Sequence, residues 1–376
     1  MKNSRTVIVI SNVSSNIYIF KMNFIGYLKA KGYNVVVFAN DNGYGKDIRE
    51  LADIYEDYKI SRTSVNIFKE FSTYRELAKK MKSHNPDIVI SFTIKPNLYS
   101  NLIFRNSKTK VINVVTGRGR VFGEDKLLRR KLIGALSKFS YDKCDKVVLN
   151  NPADFNYKID NGYIDKEKAC IIYGEGVDLE KFKPAKEKNF DKIRFLFIGR
   201  FMMSKGIEDF IYAALKAKES VENIEIQLAG SISEEDPDSM KQETLDQLVS
   251  EGKVTFFGYQ KDPMPLFEQT NCVVLPTYYN EGMPKSLMEA AAMYTPIICS
   301  DLDACRQVVD DCVTGFLCKP KDRHQLSEKL IEFAKMSKEE KLKMGVMARE
   351  KAIKEFDVED INEQYHNIML ELINKK

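Results

Sequence analysis

Cys272-Val273-Val274-Leu275-Pro276, followed by Glu281-Gly282-Met283-Pro284-Lys285-Ser286-Leu287-Met288-Glu289, is the stretch that decides how the chain is read. The apolar run before the first proline has the length and composition of a buried strand. Pro284 suits the first turn of a helix, where its missing N–H has no partner to lose. Ser286 to Ala292 then continue as helix. The stretch is therefore a strand, a loop and a helix, with Glu281 on the loop and Glu289 about one turn into the helix. Ligands of an open α/β sheet bind along the carboxyl edge of the strands. Free N–H groups at a helix start suit a phosphate. Two carboxylates flanking such a turn point to a ligand with both phosphate and hydroxyl groups, because carboxylates accept from hydroxyls. A nucleotide sugar has both.

The same alternation extends in both directions. Apolar runs predict strands at Val7–Ser11, Val35–Ala39, Ile88–Phe92, Val111–Thr116, Val147–Asn150 and Cys170–Tyr173, with helical spacing at Tyr18–Lys31, Phe71–Ser83 and Lys126–Tyr141 between them. Strand–helix alternation implies a parallel sheet with helices on both faces. The polar run Lys181 to Lys192, with Pro184, reads as a linker. Alternation restarts at Arg194–Gly199 and continues through Ile224–Ala229, Val254–Gly258, Cys272–Pro276, Pro296–Ser300 and Phe316–Cys318. The last fifty residues or so are helical and charged, with Tyr365, Ile368, Met369 and Leu372 at helical spacing. The reading is an α/β protein of two doubly wound halves. Residues 1–180 form one domain, residues 190–356 the other, and a final helix at about 357–376 packs back on the first. The cleft between two such halves is the expected binding site.

Composition narrows the class. The chain has 376 residues, 44% hydrophobic and 30% charged, as in globular proteins. It has no apolar run of the roughly 18 residues needed to span a membrane. Met1 to Arg5 lead straight into Thr6–Ser11, which reads as a first strand and not as a secretion signal. The seven cysteines lie mostly in apolar contexts without metal-ligand spacing, so they read as reduced core thiols of a cytosolic protein. Residues 1–180 carry 30 Lys and Arg against 20 Asp and Glu, whereas residues 181–376 carry 28 against 34. The basic first half is expected to face an anionic partner. No basic strand interleaved with aromatics suggests nucleic acid.

Gly199-Arg200-Phe201-Met202-Met203-Ser204-Lys205-Gly206 closes the first strand of the second half and brings two cations to a strand end and a helix start, where a diphosphate would bind. With Phe257-Gly258, Pro276-Thr277, Glu281 to Ala290, Pro296-Ile297-Ile298, Asp301, Gly315-Phe316-Leu317 and the junction Gly176 to Phe182, the chain resembles retaining nucleotide-sugar glycosyltransferases of family 4, which have the GT-B fold. The resemblance implies that Arg200, Lys205 and Glu281 are catalytic: the two cations neutralise the leaving diphosphate and Glu281 holds hydroxyls of the transferred sugar. It implies a donor site of Gly199, Tyr259, Gly282, Met283, Pro284, Ser286, Leu287 and Glu289, with Glu289 on the ribose hydroxyls and Tyr259 near the base.

Thr93-Ile94-Lys95-Pro96-Asn97-Leu98-Tyr99-Ser100 and Val115-Thr116-Gly117-Arg118-Gly119-Arg120-Val121-Phe122 resemble the bacterial branch that extends polyprenyl-diphosphate-linked sugars, N-acetylgalactosaminyltransferases included. Acceptor contacts would come from Lys95, Asn97, Thr116, Gly117, Arg118 and Arg120. Many members have a glycine-rich loop after the first strand; here it is Ser11-Asn12-Val13-Ser14-Ser15-Asn16. Many also carry a cleft histidine, but His84, His324 and His366 all sit in helical or polar surface contexts, and Gln307 stands where many members have an acid. A retaining reaction in which the departing phosphate takes the acceptor proton requires no protein base. The expected donor is UDP-GalNAc, UDP-GlcNAc or UDP-Gal, used as a substrate. No cofactor and no metal is implied, because cations and helix dipole can replace the metal. Leu127, Leu128, Leu132, Ile133, Leu136 and Phe139 alternate with basic residues across 126–146, which suits either an anionic membrane face or a core-packing helix. The expected place is the cytoplasmic face of the cell membrane, with a lipid-linked acceptor. Two rivals share these features: a nucleotide-sugar 2-epimerase of the same fold, and a non-catalytic nucleotide-sugar-binding scaffold subunit.

Overall fold

The computed structural model describes residues 4–60, 67–117, 134, 138–184, 188–233, 235–279 and 282–375. The chain divides into two compact units: Met1–Glu175 with Val358–Lys376, and Gly176–Asp357.

In the first unit, β1 (Thr6–Val13), β2 (Asn34–Asn40), β3 (Ile54–Asp57), β4 (Ile88–Phe92), β5 (Lys110–Val115), β6 (Lys146–Leu149) and β7 (Ala169–Ile171) form one sheet in the order β3-β2-β1-β4-β5-β6-β7. Its pairings are parallel. Between the strands run α1 (Ser14–Ala30), α2 (Gly45–Leu51), α3 (Ile67–Ser83), α4 (Ile94–Phe104) and α5 (Pro152–Asp160). A parallel sheet is covered on both faces, which is why its central strands read as near-continuous apolar runs. Val7 and Val9 enter one core with Ile17, Phe24 and Leu28 of α1, and with Ile361, Tyr365 and Met369 of the C-terminal helix. Ile8 and Ile10 enter the opposite core with Leu77 and Met81 of α3 and Ile103 of α4. Lys21 and Glu175 form a buried ion pair, and the Lys21 ammonium lies 4.1 Å from the centroid of the Phe92 ring.

β3 is the strand that the apolar pattern does not announce. Ile54-Tyr55-Glu56-Asp57 sits at the sheet edge, half-exposed, and its charged residues suit an edge that must not pair further. α1 also starts four residues earlier than its apolar spacing suggests. Asn42 accepts at 2.9 Å from the Ser15 N–H, and Ser14 Oγ donates to Asn42 and Asp41, so a neighbouring loop supplies the cap.

In the second unit, β8 (Ile193–Arg200), β9 (Ile224–Ser231), β10 (Thr255–Phe256), β11 (Cys272–Leu275), β12 (Ile297–Ser300) and β13 (Gly315–Cys318) form a parallel sheet in the order β10-β9-β8-β11-β12-β13. Its helices are α6 (Ile207–Lys218), α7 (Gln242–Ser250), α8 (Met264–Gln269), α9 (Lys285–Ala292), α10 (Asp303–Arg306), α11 (Arg323–Lys335) and α12 (Lys338–Glu355); the C-terminal helix of the first unit is α13 (Val358–Asn374). One core runs from Phe195 and Phe197 of β8 through Leu287 and Met288 of α9 to Phe333 of α11 and Ala348 of α12. The buried Arg349 of α12 donates to the carbonyl oxygens of Leu179, Phe182 and Ala292 at 3.1, 2.7 and 2.8 Å, which ties the entry segment of this unit to the C-terminal end of α9. The cysteines are free thiols; five are buried, Cys170 is half-buried and Cys312 is exposed.

Candidate active site

The chain order of the second sheet reverses at β8: β9 and β10 lie to one side of it and β11 to β13 to the other. The carboxyl ends of β8 and β11 are therefore neighbours at a reversal point, where doubly wound sheets bind ligands. The segments leaving these two strands are held together closely. Gly206, the N-cap of α6, has φ +77°, and a Cβ there would lie 2.2 Å from the carbonyl oxygen of Pro276. Only glycine allows α6 to begin against the end of β11.

Between β8 and α6 lies a 3-10 turn, Met203–Lys205, fixed from two sides. Asp238 accepts from Ser204 N–H at 3.2 Å and binds Ser204 Oγ, while its carbonyl accepts from Met203 N–H at 2.7 Å. Ser204 O accepts in turn from Tyr278 N–H at 2.8 Å and Thr277 Oγ1 at 3.3 Å. Lys205 is thus carried on a turn clamped to the segment after β11, and Arg200 is exposed at the last position of β8. Ser204, Asp238 and Tyr278 were not singled out from the sequence. Asp236-Pro237-Asp238 signals a turn, but nothing in it says which strand end that turn will brace.

On α9, Pro284 is the N-cap and its carbonyl accepts from Leu287 N–H at 3.1 Å, so the proline stands just before the first turn. Gly282, Met283, Pro284 and Leu287 are buried and Ser286 is half-buried. Glu289 lies one turn further, 7% exposed, with the Lys285 ammonium 3.5 Å from its carboxylate. Burial pushes the Glu289 carboxyl above its ordinary value, and Lys285 opposes that shift. Gly199 pairs with Gly230 at the end of β8, and Tyr259 is half-exposed just after Gly258, whose φ is +68°. Glu281 lies outside the described residues.

In the first unit, Lys95 and Asn97 open α4 directly after β4, and Thr116 and Gly117 follow β5; β4 and β5 are neighbours, so these four share one stretch of carboxyl edge. Lys95 is held by Glu70 at 2.8 Å, and Tyr99 binds the same carboxylate. Asn97 donates to Val114 O at 3.2 Å, fixing α4 on β5. Arg118 and Arg120 lie outside the described residues, as does most of 126–146. At the described end of that segment, Ser140, Tyr141 and Cys144 are buried. The stretch Ser11–Asn16 is no loop: β1 runs to Val13 and α1 begins at Ser14, with Asn42 on the Ser15 N–H.

The three histidines each stand against an aromatic ring, His84 on Phe38, His324 on Tyr212 and His366 on Tyr27 and Tyr33. Gln307 follows α10 as its C-cap. Among the described residues no group of three or more His, Cys, Asp or Glu could hold a metal ion, and no helix is long and apolar enough to cross a membrane.

Two family models match. Residues 7–151 fit the glycosyl transferase 4-like model, and residues 178–351 fit the model of glycosyl transferases group 1. The chain belongs to the GT-B glycosyltransferases. This glycosyltransferase is 28% identical, over 90% of both chains, to the N,N'-diacetylbacillosaminyl-diphospho-undecaprenol alpha-1,3-N-acetylgalactosaminyltransferase of Campylobacter jejuni. It is 26% identical, over 69% of both chains, to the UDP-Gal:alpha-D-GlcNAc-diphosphoundecaprenol alpha-1,3-galactosyltransferase of Escherichia coli. The fold matches a glycosyltransferase from Rickettsia africae with a TM-score of 0.81 at 17% identity over the whole of both chains. It matches Anabaena HepE, crystallised with UDP and glucose, with a TM-score of 0.82 at 14% identity over 98% of this chain and all of that one.

Proposed function

We propose that this glycosyltransferase moves a hexose or N-acetylhexosamine from a UDP-sugar to a polyprenyl-diphosphate-linked saccharide in bacterial surface glycan assembly, with retention at the transferred carbon. The observation that carries the donor half is the pairing at the reversal point: the Lys205 turn is clamped to the segment after β11, and the next helix holds a buried carboxylate at Glu289. Arg200 and Lys205 would meet the diphosphate and the charge that grows on it as the sugar leaves. Glu289, ionised, would accept from ribose hydroxyls, and Glu281 from hydroxyls of the sugar. Gly199, Tyr259, Gly282, Met283, Pro284, Ser286 and Leu287 would complete the donor site. The departing phosphate would take the acceptor proton on the face from which it leaves, so the reaction would need no metal and no protein base.

The acceptor half rests on the relatives. Two of them are named for diphospho-undecaprenol-linked acceptors, and their matches span most of the chain. The second unit would hold the donor and the first the acceptor, through Lys95, Asn97, Thr116, Gly117, Arg118 and Arg120. The basic segment 126–146 would meet an anionic membrane face.

Thermal stabilisation by a panel of UDP-, GDP- and ADP-sugars tests the donor half, because a ligand that binds only the folded chain raises its melting temperature. One UDP-sugar is expected to shift wild type and to leave Glu289→Ala unshifted. Since the Glu289 carboxyl titrates above its ordinary value, the shift should weaken as pH falls towards that range. If no nucleotide sugar shifts the wild type, the transferase reading loses its support.

A further inference from the structure

Lys319-Pro320-Lys321-Asp322-Arg323-His324 runs from the end of β13 into α11, and the donor reading uses none of it. With Tyr212 of α6 this loop lines an open cavity of about 420 Å³, a volume in the range of small-molecule sites. Arg200, Lys205, Glu289 and the segment 282–287 do not line it. Lys319, Lys321 and Arg323 bring three cations to one cavity, in a half of the chain where acids outnumber bases by 34 to 28. The one acid of the loop, Asp322, is committed elsewhere: its carboxylate caps α11 by accepting from Gln325 N–H at 3.0 Å.

The cations are placed, and two of the three are not neutralised. Among the described residues neither Lys319 nor Lys321 forms an ion pair; the Lys321 ammonium lies 4.4 Å from the centroid of the Tyr278 ring. Lys319 N–H donates to Gln325 Oε1 at 2.6 Å, which pins the chain before Pro320 to α11. Lys321 has φ 64°, where glycine is free of strain and lysine is not, so the loop carries a cation at a position whose backbone favours glycine. Arg323 donates from Nε to the buried Asp209 carboxylate at 2.6 Å, and its guanidinium carbon lies 5.4 Å from the centroid of the Tyr212 ring. Held between a carboxylate and a ring, the exposed guanidinium keeps the donors of its terminal nitrogens for another partner. His324 stands edge-on to the same ring at 6.1 Å.

We propose that this cavity is a second anion site of the chain, for a small phosphate-bearing ligand. Cations gathered around one cavity repel one another until an anion enters between them. A phosphate group suits this set: near neutral pH it carries close to two charges, and its oxygens match both a guanidinium fork and separate ammonium groups. Tyr212, 41% exposed, offers a ring beside the cations for the rest of the ligand, and the cavity has room for more than a phosphate group alone. The inference stands apart from the transferase reading, because it concerns residues to which that reading gives no role.

Titration calorimetry on the whole chain tests it, with inorganic phosphate, glucose 6-phosphate and glucose as separate probes at one ionic strength, each with and without UDP. Both phosphate compounds are expected to bind, glucose to give no heat, and UDP not to displace them. Tighter binding of the ester than of inorganic phosphate would assign a share to Tyr212, and equal binding would assign the site to the phosphate group alone; either outcome supports the site. Lys319→Ser with Lys321→Gly should weaken both phosphate compounds at least tenfold. The pair should not lower the melting temperature, because glycine relieves the strain at 321 and serine keeps the N–H at 319. Should the pair fail to fold, Lys321→Gly alone reads the weakening. The proposal is overturned if neither phosphate compound binds, if UDP displaces them, if glucose binds as well as its phosphate ester, or if the affinity survives in the variants. It is also overturned if the variants lose UDP binding to the same degree, since the cations would then serve the donor.

Discussion

Thr93 allows a test in which the usual order of two residues is inverted. At an ordinary position outside a turn, glycine is less stabilising than alanine by about 0.5–1 kcal/mol, because it has more freedom to lose. At φ 73° and ψ 161° alanine remains strained, whereas glycine is not. That strain is worth about 1–3 kcal/mol. Thr93→Gly and Thr93→Ala both remove the hydroxyl and the methyl, so those losses cancel in the comparison. What remains is strain relief less glycine's entropy, and Thr93→Gly should be the more stable variant by about 0.5–2 kcal/mol. For a unit of this size that is a difference of about 2–4 °C in melting temperature per kcal/mol. Urea unfolding of the two variants, with calorimetry beside it, reads the difference directly. If Thr93→Ala equals or exceeds Thr93→Gly, Thr93 is not strained in the folded chain.

Arg349→Met would strip partners from the carbonyls of Leu179, Phe182 and Ala292; at about 1 kcal/mol or more for each orphaned carbonyl, a loss near 3 kcal/mol is expected. Arg349→Lys, with one ammonium in place of the fork, should recover only part of it, and equal melting temperatures for the three proteins would refute the role. Lys188 donates to Phe267 O, Thr270 O and Thr295 Oγ1, and burial lowers its ammonium to about 7. Because the folded value is below the unfolded one, the unfolded chain holds more protons between them. Stability from this group is therefore present at alkaline pH and lost as pH falls through about 7. Lys188→Met should flatten the rise in urea midpoint between neutral and alkaline pH, and an unchanged slope would assign that rise elsewhere.

Much of the architecture was legible because parallel strands bury both faces. Most read as near-continuous apolar runs, and such runs stand out locally, as at Val7–Ile10 of β1 and Cys272–Leu275 of β11. The last helix is legible for a related reason: Tyr365, Met369 and Leu372 recur at helical spacing and are buried in the first unit. β3 escaped because an edge strand needs no such run. At the second sheet's reversal point, the strand–loop–helix around Glu289 follows from local signals, proline and apolar spacing. That Asp238 braces the Lys205 turn does not, because 34 residues separate Asp238 from Ser204 and no periodicity links them.

The same division holds for the first unit's edge. Sequence by itself placed Lys95, Asn97 and Thr116 near strand ends, since those ends are marked by where apolar runs stop. Tertiary structure alone decided that Glu70 takes Lys95, that β1 bulges at Ser11 and Asn12, and that Thr93 adopts a glycine-like backbone. Local pattern is written in the energetics of neighbouring residues. Which polar atoms are left without partners depends on groups brought together across the sheet, and only the folded chain settles that.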